Sequence, residues 1–180
     1  MKKFLSFKGE GTRKNFTDHL RTALDQKGLR IFRDHESIER GKEISSKLLK
    51  AIEDSMIWII IFSRNYDSST WCLDELVMIV DCLNVDKHRA LVPVFYDINS
   101  LDVRRQTGDL KKAFDKHEEE FRDDEEKVQK WRSAMRKVAS LSRWHLKDSG
   151  IHLLGTMSGS NNNNISNGTF FWEKVSTSVR

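Results

Sequence analysis

The sequence predicts an α/β domain built on a doubly wound parallel sheet with helices on both faces. Three observations predict it. Short apolar, β-prone runs recur at residues 4–7, 29–32, 56–62 and 90–96, helical patterns lie between them, and the run Met56-Ile57-Trp58-Ile59-Ile60-Ile61-Phe62 is apolar without alternation. A strand exposed on one face alternates polar and apolar residues, so unbroken apolarity marks a strand covered on both sides. Strand, helix and strand at about 30-residue spacing is the pattern of βαβ units, whose crossovers lay helices over a parallel sheet.

The first strand reads Phe4-Leu5-Ser6-Phe7, and the glycines Gly9 and Gly11 follow it. A helix over 16–26 stops before Gly28, a residue that ends helices without steric cost. The second strand, 29–32, comes next. A helix over 45–54 opens with the cap-competent Ser45 and Ser46 and carries Leu48, Leu49 and Ile52. Strand 56–62, helix 71–83 and strand 90–96 complete the alternating part. Beyond Tyr96 the chain becomes more charged, with a helix over 110–121 and a longer one over 125–141. The longer helix sets Val128, Trp131, Met135 and Val138 on one stripe. Arg143-Trp144-His145-Leu146 supplies a short fifth strand. Residues 150–168, with four consecutive asparagines, are low in complexity and read as a loop. A last helix over 170–179 sets Phe171, Val175 and Val179 on one side. The expected organisation is one domain core over 1–149, the asparagine-rich loop 150–168, and a closing helix within 169–180.

The totals narrow the function. The 180 residues suit one domain, or one domain and a tail. Thirty-one basic residues are nearly matched by 27 acidic ones, leaving a net charge of +4. The charges are interspersed and no recognition module is present, so nucleic acid is not an expected partner. No apolar run approaches the roughly 18 residues a membrane span needs, and the start is too short in apolar residues for a signal peptide. Cys72 and Cys82 share one predicted helix about 15 Å apart, too far for a disulfide. Reduced thiols point to an intracellular setting, the cytoplasm first and the nucleus second. In that setting the sequons at Asn164 and Asn167 carry no meaning. The six histidines are scattered without ligand spacing, so no metal site is expected.

The segments that follow the strands are where such a fold places ligands, namely 8–14, 34–41, 63–70 and 97–107. Lys8-Gly9-Glu10-Gly11-Thr12-Arg13-Lys14 lacks the third glycine of a dinucleotide fingerprint and the Gly-Lys-Ser/Thr of a Walker loop. It still leaves backbone N–H groups at a helix start, where Arg13 could hold a phosphate, although a plain tight turn accounts for it equally. No nucleophile elbow is present. Phe62-Ser63-Arg64 stands where a phosphoacceptor fold would carry an aspartate. Glu118, Glu119 and Glu120 read as a solvated helix face.

The helix 71–83 is different. At 100° per residue Cys72, Leu73, Leu76, Ile79, Val80 and Leu83 form its core face. Trp71 and Glu75 lie about 40° from each other on a flank, at the carboxyl edge of the sheet. A carboxylate against an indole wall is a candidate functional group. The alternative is a tryptophan lid on the core beside a solvated glutamate.

Several stretches are similar to the plant TIR (Toll/interleukin receptor/resistance) family. They are Phe4-Leu5-Ser6-Phe7-Lys8-Gly9-Glu10-Gly11-Thr12-Arg13, Phe16-Thr17-Asp18-His19-Leu20, Glu39-Arg40-Gly41, Leu49-Lys50-Ala51-Ile52-Glu53, Trp71-Cys72-Leu73-Asp74-Glu75-Leu76, Val92-Pro93-Val94-Phe95-Tyr96-Asp97 and Asp102-Val103-Arg104-Arg105-Gln106-Thr107-Gly108. They run in unbroken order from Phe4 to about Trp144. Lys8, Gly11, His35 and Ser100 depart from the family pattern, which usually has arginine, aspartate, aspartate and proline there.

The resemblance implies a flavodoxin-like fold with five parallel strands, and an NAD⁺ nucleosidase that cleaves between nicotinamide and ribose in plant immune signalling. It implies Glu75 as the catalytic glutamate and Trp71 as a wall of the pocket. Ser69, Asp34, Arg13 and Lys8 would surround the nucleotide, with NAD⁺ as substrate and no cofactor. It further implies association with other TIR domains, as homo-oligomers or hetero-oligomers, through Asp18 and His19, with loop 34–41 shifting to complete the site. The alternative within the same resemblance is a non-catalytic adaptor acting only through TIR–TIR contacts.

Overall fold

The computed structural model describes residues 2–8, 22, 31–32, 46–86, 88–96 and 98–141. Among them the chain runs β1 (Lys3–Phe7), β2 (Ile31–Phe32), α1 (Ser46–Glu53), β3 (Ile57–Phe62), α2 (Thr70–Val85), β4 (Ala90–Phe95), α3 (Ser100–Arg105), α4 (Asp109–Glu120), a 3₁₀ turn (Arg122–Asp124) and α5 (Glu125–Leu141). All strand pairings are parallel, in the order β2-β1-β3-β4. The four expected strands are therefore present, and helix 125–141 has its expected bounds. The expected helices 16–26 and 170–179, the fifth strand at 143–146 and the loop 150–168 lie outside the described residues.

All six residues of β3 are buried, as its unbroken apolarity requires. Successive side chains of a strand point to opposite faces. Phe4, Trp58, Ile60 and Phe62 accordingly join one core with Leu73, Leu76 and Ile79 of α2 and Trp131, Met135 and Val138 of α5. Leu5, Ile59 and Ile61 face the other way and are buried too. In register, Phe4 stands beside Trp58 and Ser6 beside Ile60. Ser6 thus occupies a core-facing position next to the helix layer, in a strand whose other described inward residue is apolar.

Helix α2 begins where its cap dictates. The Ser69 Oγ accepts the Cys72 N–H at 3.3 Å, and the helix runs on to Val85, one residue longer at the start and two longer at the end than the apolar stripe suggested. The segment 97–107, singled out because it follows a strand, contains α3. Asn99 caps it by accepting the Leu101 N–H at 2.8 Å, and Gln106 closes it in the left-handed conformation at φ 55°. With Val103 as its single buried residue, this helix is too short to show a period.

Helix α5 locks the layer in place. The Trp131 indole N–H donates to Asp74 of α2 at 2.7 Å, and its ring packs edge-on against His117 and Phe121, each with centroids 5.2 Å away. Gln106 donates to the Arg132 carbonyl and accepts from the Arg132 guanidinium, tying the end of α3 to α5. No helix among the described residues is long and apolar enough to cross a membrane.

Candidate active site

The sheet order places the site. From β1 the chain builds β2 on one side and then crosses to β3 on the other, so the carboxyl ends of β1 and β3 bound the switch point where open α/β sheets hold ligands. Ser6 is the penultimate residue of β1, and β3 leads through residues 63–69 into α2. That connection folds back on itself: the Tyr66 N–H donates to the Ser63 carbonyl and the Ser69 N–H to the Tyr66 carbonyl. Tyr66 is thereby turned inward, 1% exposed, with its ring edge-on to Phe62 at 5.1 Å.

Glu75 stands on the second turn of α2 and is 7% exposed. The Trp71 indole N–H donates to its Oε1 at 2.8 Å, and the Ser6 hydroxyl donates to its Oε2 at 2.7 Å. The 40° offset expected on the helix wheel is what lets an indole reach a carboxylate one turn on. The alternative of a solvated glutamate does not hold, because β1 covers the flank that the wheel left open. Trp71 is half-buried and packs against the edge of the core, as the lid in that alternative would.

Behind the carboxylate the groups are neutral. Tyr66 Oη lies 2.9 Å from Ser6 Oγ and donates to the Cys72 carbonyl at 3.1 Å. Burial pushes the Tyr66 hydroxyl well above its ordinary range, and the neighbouring Glu75 carboxylate adds to that. Burial likewise pushes the Cys72 thiol up to about 12, with Glu75 contributing. Both cysteines are free thiols. At the rim, the Lys8 ammonium donates to Ser68 Oγ at 2.7 Å. Ser69 spends its oxygen on the cap of α2 while remaining half-buried beside the site.

Of the residues expected to form the site, the structure brings together Glu75 and Trp71 in direct contact, with Ser69 and Lys8 on the segments that flank them. Arg13, Asp34, Asp18 and His19 lie outside the described residues. Ser6 and Tyr66 were not anticipated. A lone hydroxyl in the strand Phe4-Leu5-Ser6-Phe7 was the available signal for the first; nothing local signals that a loop tyrosine turns inward. Among the described residues no cluster of three or more metal-ligating side chains exists.

A doubly wound parallel sheet whose switch point holds a buried carboxylate between an indole and a serine defines a flavodoxin-like α/β domain. The TIR domain family model matches residues 2–179, and the chain belongs to that family. It is 49% identical over 145 residues to the disease resistance protein RPV1 of Vitis rotundifolia, covering 81% of this chain and 10% of that protein. It is 46% identical over 138 residues to the TMV resistance protein N of Nicotiana glutinosa, covering 77% of this chain and 12% of that protein. The chain therefore spans about a tenth of the length of these relatives. Its structure superposes with a TM-score of 0.77 at 40% identity on the TIR domains of the activated Roq1 resistosome that directly recognises the effector XopQ, covering 97% of this chain and 98% of that one.

Proposed function

We propose that this chain is an immune-signalling TIR domain that hydrolyses NAD⁺ at the nicotinamide–ribose bond, with Glu75 as the catalytic carboxylate. One observation carries the reading: a carboxylate withdrawn from water at the switch point, with each oxygen held by a neutral donor. The C1′–N bond breaks with its electron pair passing to the nicotinamide nitrogen, so the leaving group departs neutral and needs no strong acid. Positive charge collects on the ribose, where a fixed carboxylate stabilises it and accepts hydrogen bonds from ribose hydroxyls. Water then adds at C1′ and gives up a proton to the Glu75 carboxylate. Trp71 walls the pocket, while Lys8, Arg13, Asp34 and Ser69 hold the nucleotide. NAD⁺ is the substrate and no further cofactor takes part.

Self-association completes the reading. The TIR domains to which the chain is similar belong to a resistosome, and Asp18 and His19 are the contact this chain would use. Light scattering over a concentration series should show association that His19→Ala weakens; equal association in both proteins removes that surface from the proposal.

The decisive experiment incubates the full chain at high concentration, on a clustering support, with NAD⁺ and follows nicotinamide by chromatography. Glu75→Gln keeps the shape and should lose about a hundred- to a thousandfold in rate. Equal release from both proteins overturns the role of Glu75. No release from the wild type leaves the adaptor function, acting through TIR–TIR contacts alone.

A further inference from the structure

We propose that Ser6 and Tyr66 are positioning residues for Glu75, forming a two-hydroxyl relay that orients the carboxylate and lets it change protonation state without any heavy atom moving. The inference rests on the catalytic reading of Glu75. Four groups line up in the buried interior: Glu75 Oε2, Ser6 Oγ at 2.7 Å, Tyr66 Oη a further 2.9 Å away, and the Cys72 carbonyl 3.1 Å beyond. Three separate elements supply them, namely α2, β1 and the connection after β3.

Counting protons shows what the line can do. An ionised carboxylate only accepts, so the single Ser6 proton must point at Glu75. Tyr66 is then the donor toward Ser6, and its one proton is shared between Ser6 Oγ and the Cys72 carbonyl. If Oε2 is protonated, the line reverses: Glu75 donates to Ser6, Ser6 to Tyr66, and Tyr66 to the carbonyl, with every contact satisfied once. One proton, taken up from the water that adds at C1′, and two hydroxyl rotations connect the states. A glutamate that faces a cationic ribose and then a water losing its proton needs both states at one position. Trp71 meanwhile holds Oε1 from the opposite side, so the plane of the carboxylate is fixed by two donors.

Among the described residues the other titratable groups beside the relay are Cys72 on α2, Lys8 after β1 and Asp67 next to Tyr66. Burial keeps Cys72 and Tyr66 neutral. A purely structural role for the pair predicts lost stability and nothing more.

The test compares Ser6→Ala, Tyr66→Phe and the double variant with wild type and Glu75→Gln, in the full chain, by nicotinamide release from NAD⁺ across pH. Ser6→Ala should lower kcat by about tenfold to a hundredfold, the size of one hydrogen bond to a charged group, with KM changed by less than about twofold. The acid limb of its pH–rate profile should move to higher pH, since a donor that favours the charged form is gone. Tyr66→Phe should do the same more weakly, and the double variant should be no worse than Ser6→Ala, because Tyr66 acts through Ser6. Unchanged kcat and pH profile in both single variants, with Glu75→Gln inactive, overturns the relay and leaves Glu75 catalytic. Glu75→Gln as active as wild type, or an inactive wild type, overturns the catalytic reading and the relay with it. Should Ser6→Ala fail to fold by circular dichroism, Tyr66→Phe decides alone by the same criteria.

Discussion

Asp67 is a buried acid that the fold tolerates at a cost, and replacing it should stabilise the protein. The residue is 4% exposed in the connection before α2, and burial raises its carboxyl from 3.8 to about 6, against the backbone N–H groups, His117 and Lys8 that favour its charge. Its backbone carbonyl accepts a hydrogen bond from His117 Nε2 at 2.8 Å, which fixes the proton on that nitrogen and leaves Nδ1 without a partner. Between about pH 4 and 6 the folded state therefore holds a proton that the unfolded chain has released. Folding stability must fall as pH rises through that window and level off above it. A gap of about two pH units, at about 1.4 kcal/mol each, amounts to about 3 kcal/mol. Asp67→Asn keeps an oxygen for the backbone N–H groups and cannot ionise. It should be more stable than wild type by about 2–3 kcal/mol at pH 7.5 and nearly equal to it at pH 4. Urea unfolding of both proteins at half-unit pH intervals measures the difference, in which the titration of all other groups largely cancels. Two parallel stability curves would refute the reasoning, as would a gap that widens toward low pH.

The two thiols should separate under alkylation. Cys82 is only partly covered and should label in the native protein, whereas Cys72, pushed up to about 12 by burial, should label only after denaturation, as read by peptide mass mapping at pH 8. Leu76 is fully buried between α2 and the sheet, so Leu76→Ala should cost about 3–5 kcal/mol in chemical denaturation, a loss a surface change such as Lys112→Ala would not approach.

Legibility in the sequence followed the length and regularity of each signal. Strand β3 announced itself by six apolar residues in a row, and α5 by a stripe from Val128 to Val138 within a helix of 17 residues. Helix α3 has six residues and one buried side chain, so no period could form. The acidic run Glu118-Glu119-Glu120 is exposed as its charge suggests, with Glu118 paired to Arg132 at 2.8 Å. At the site, the helix wheel placed Trp71 and Glu75 on one flank correctly and said nothing of what covers that flank. Covering it takes the pairing of β1 with β3, a property of sheet order that no window of sequence contains. Family resemblance singled out Glu75, but only the packed structure shows the hydroxyl that reaches it.

The hydrogen bonds of the site also differ greatly in how far along the chain they reach. Tyr66 meets Cys72 across six residues, while Ser6 meets Glu75 across 69. By loop-closure entropy the longer contact costs about 2 kcal/mol more to form, so it waits on the pairing of β1 with β3. During synthesis β1 leaves the ribosome before β3 and α2 and must remain unpaired on this side until both have emerged. The carboxylate consequently acquires its serine only in a chain that has completed its long-range order. A nascent, clipped or partly unfolded copy carries the glutamate without its serine, and the Ser6–Glu75 hydrogen bond becomes a report on the pairing of β1 with β3.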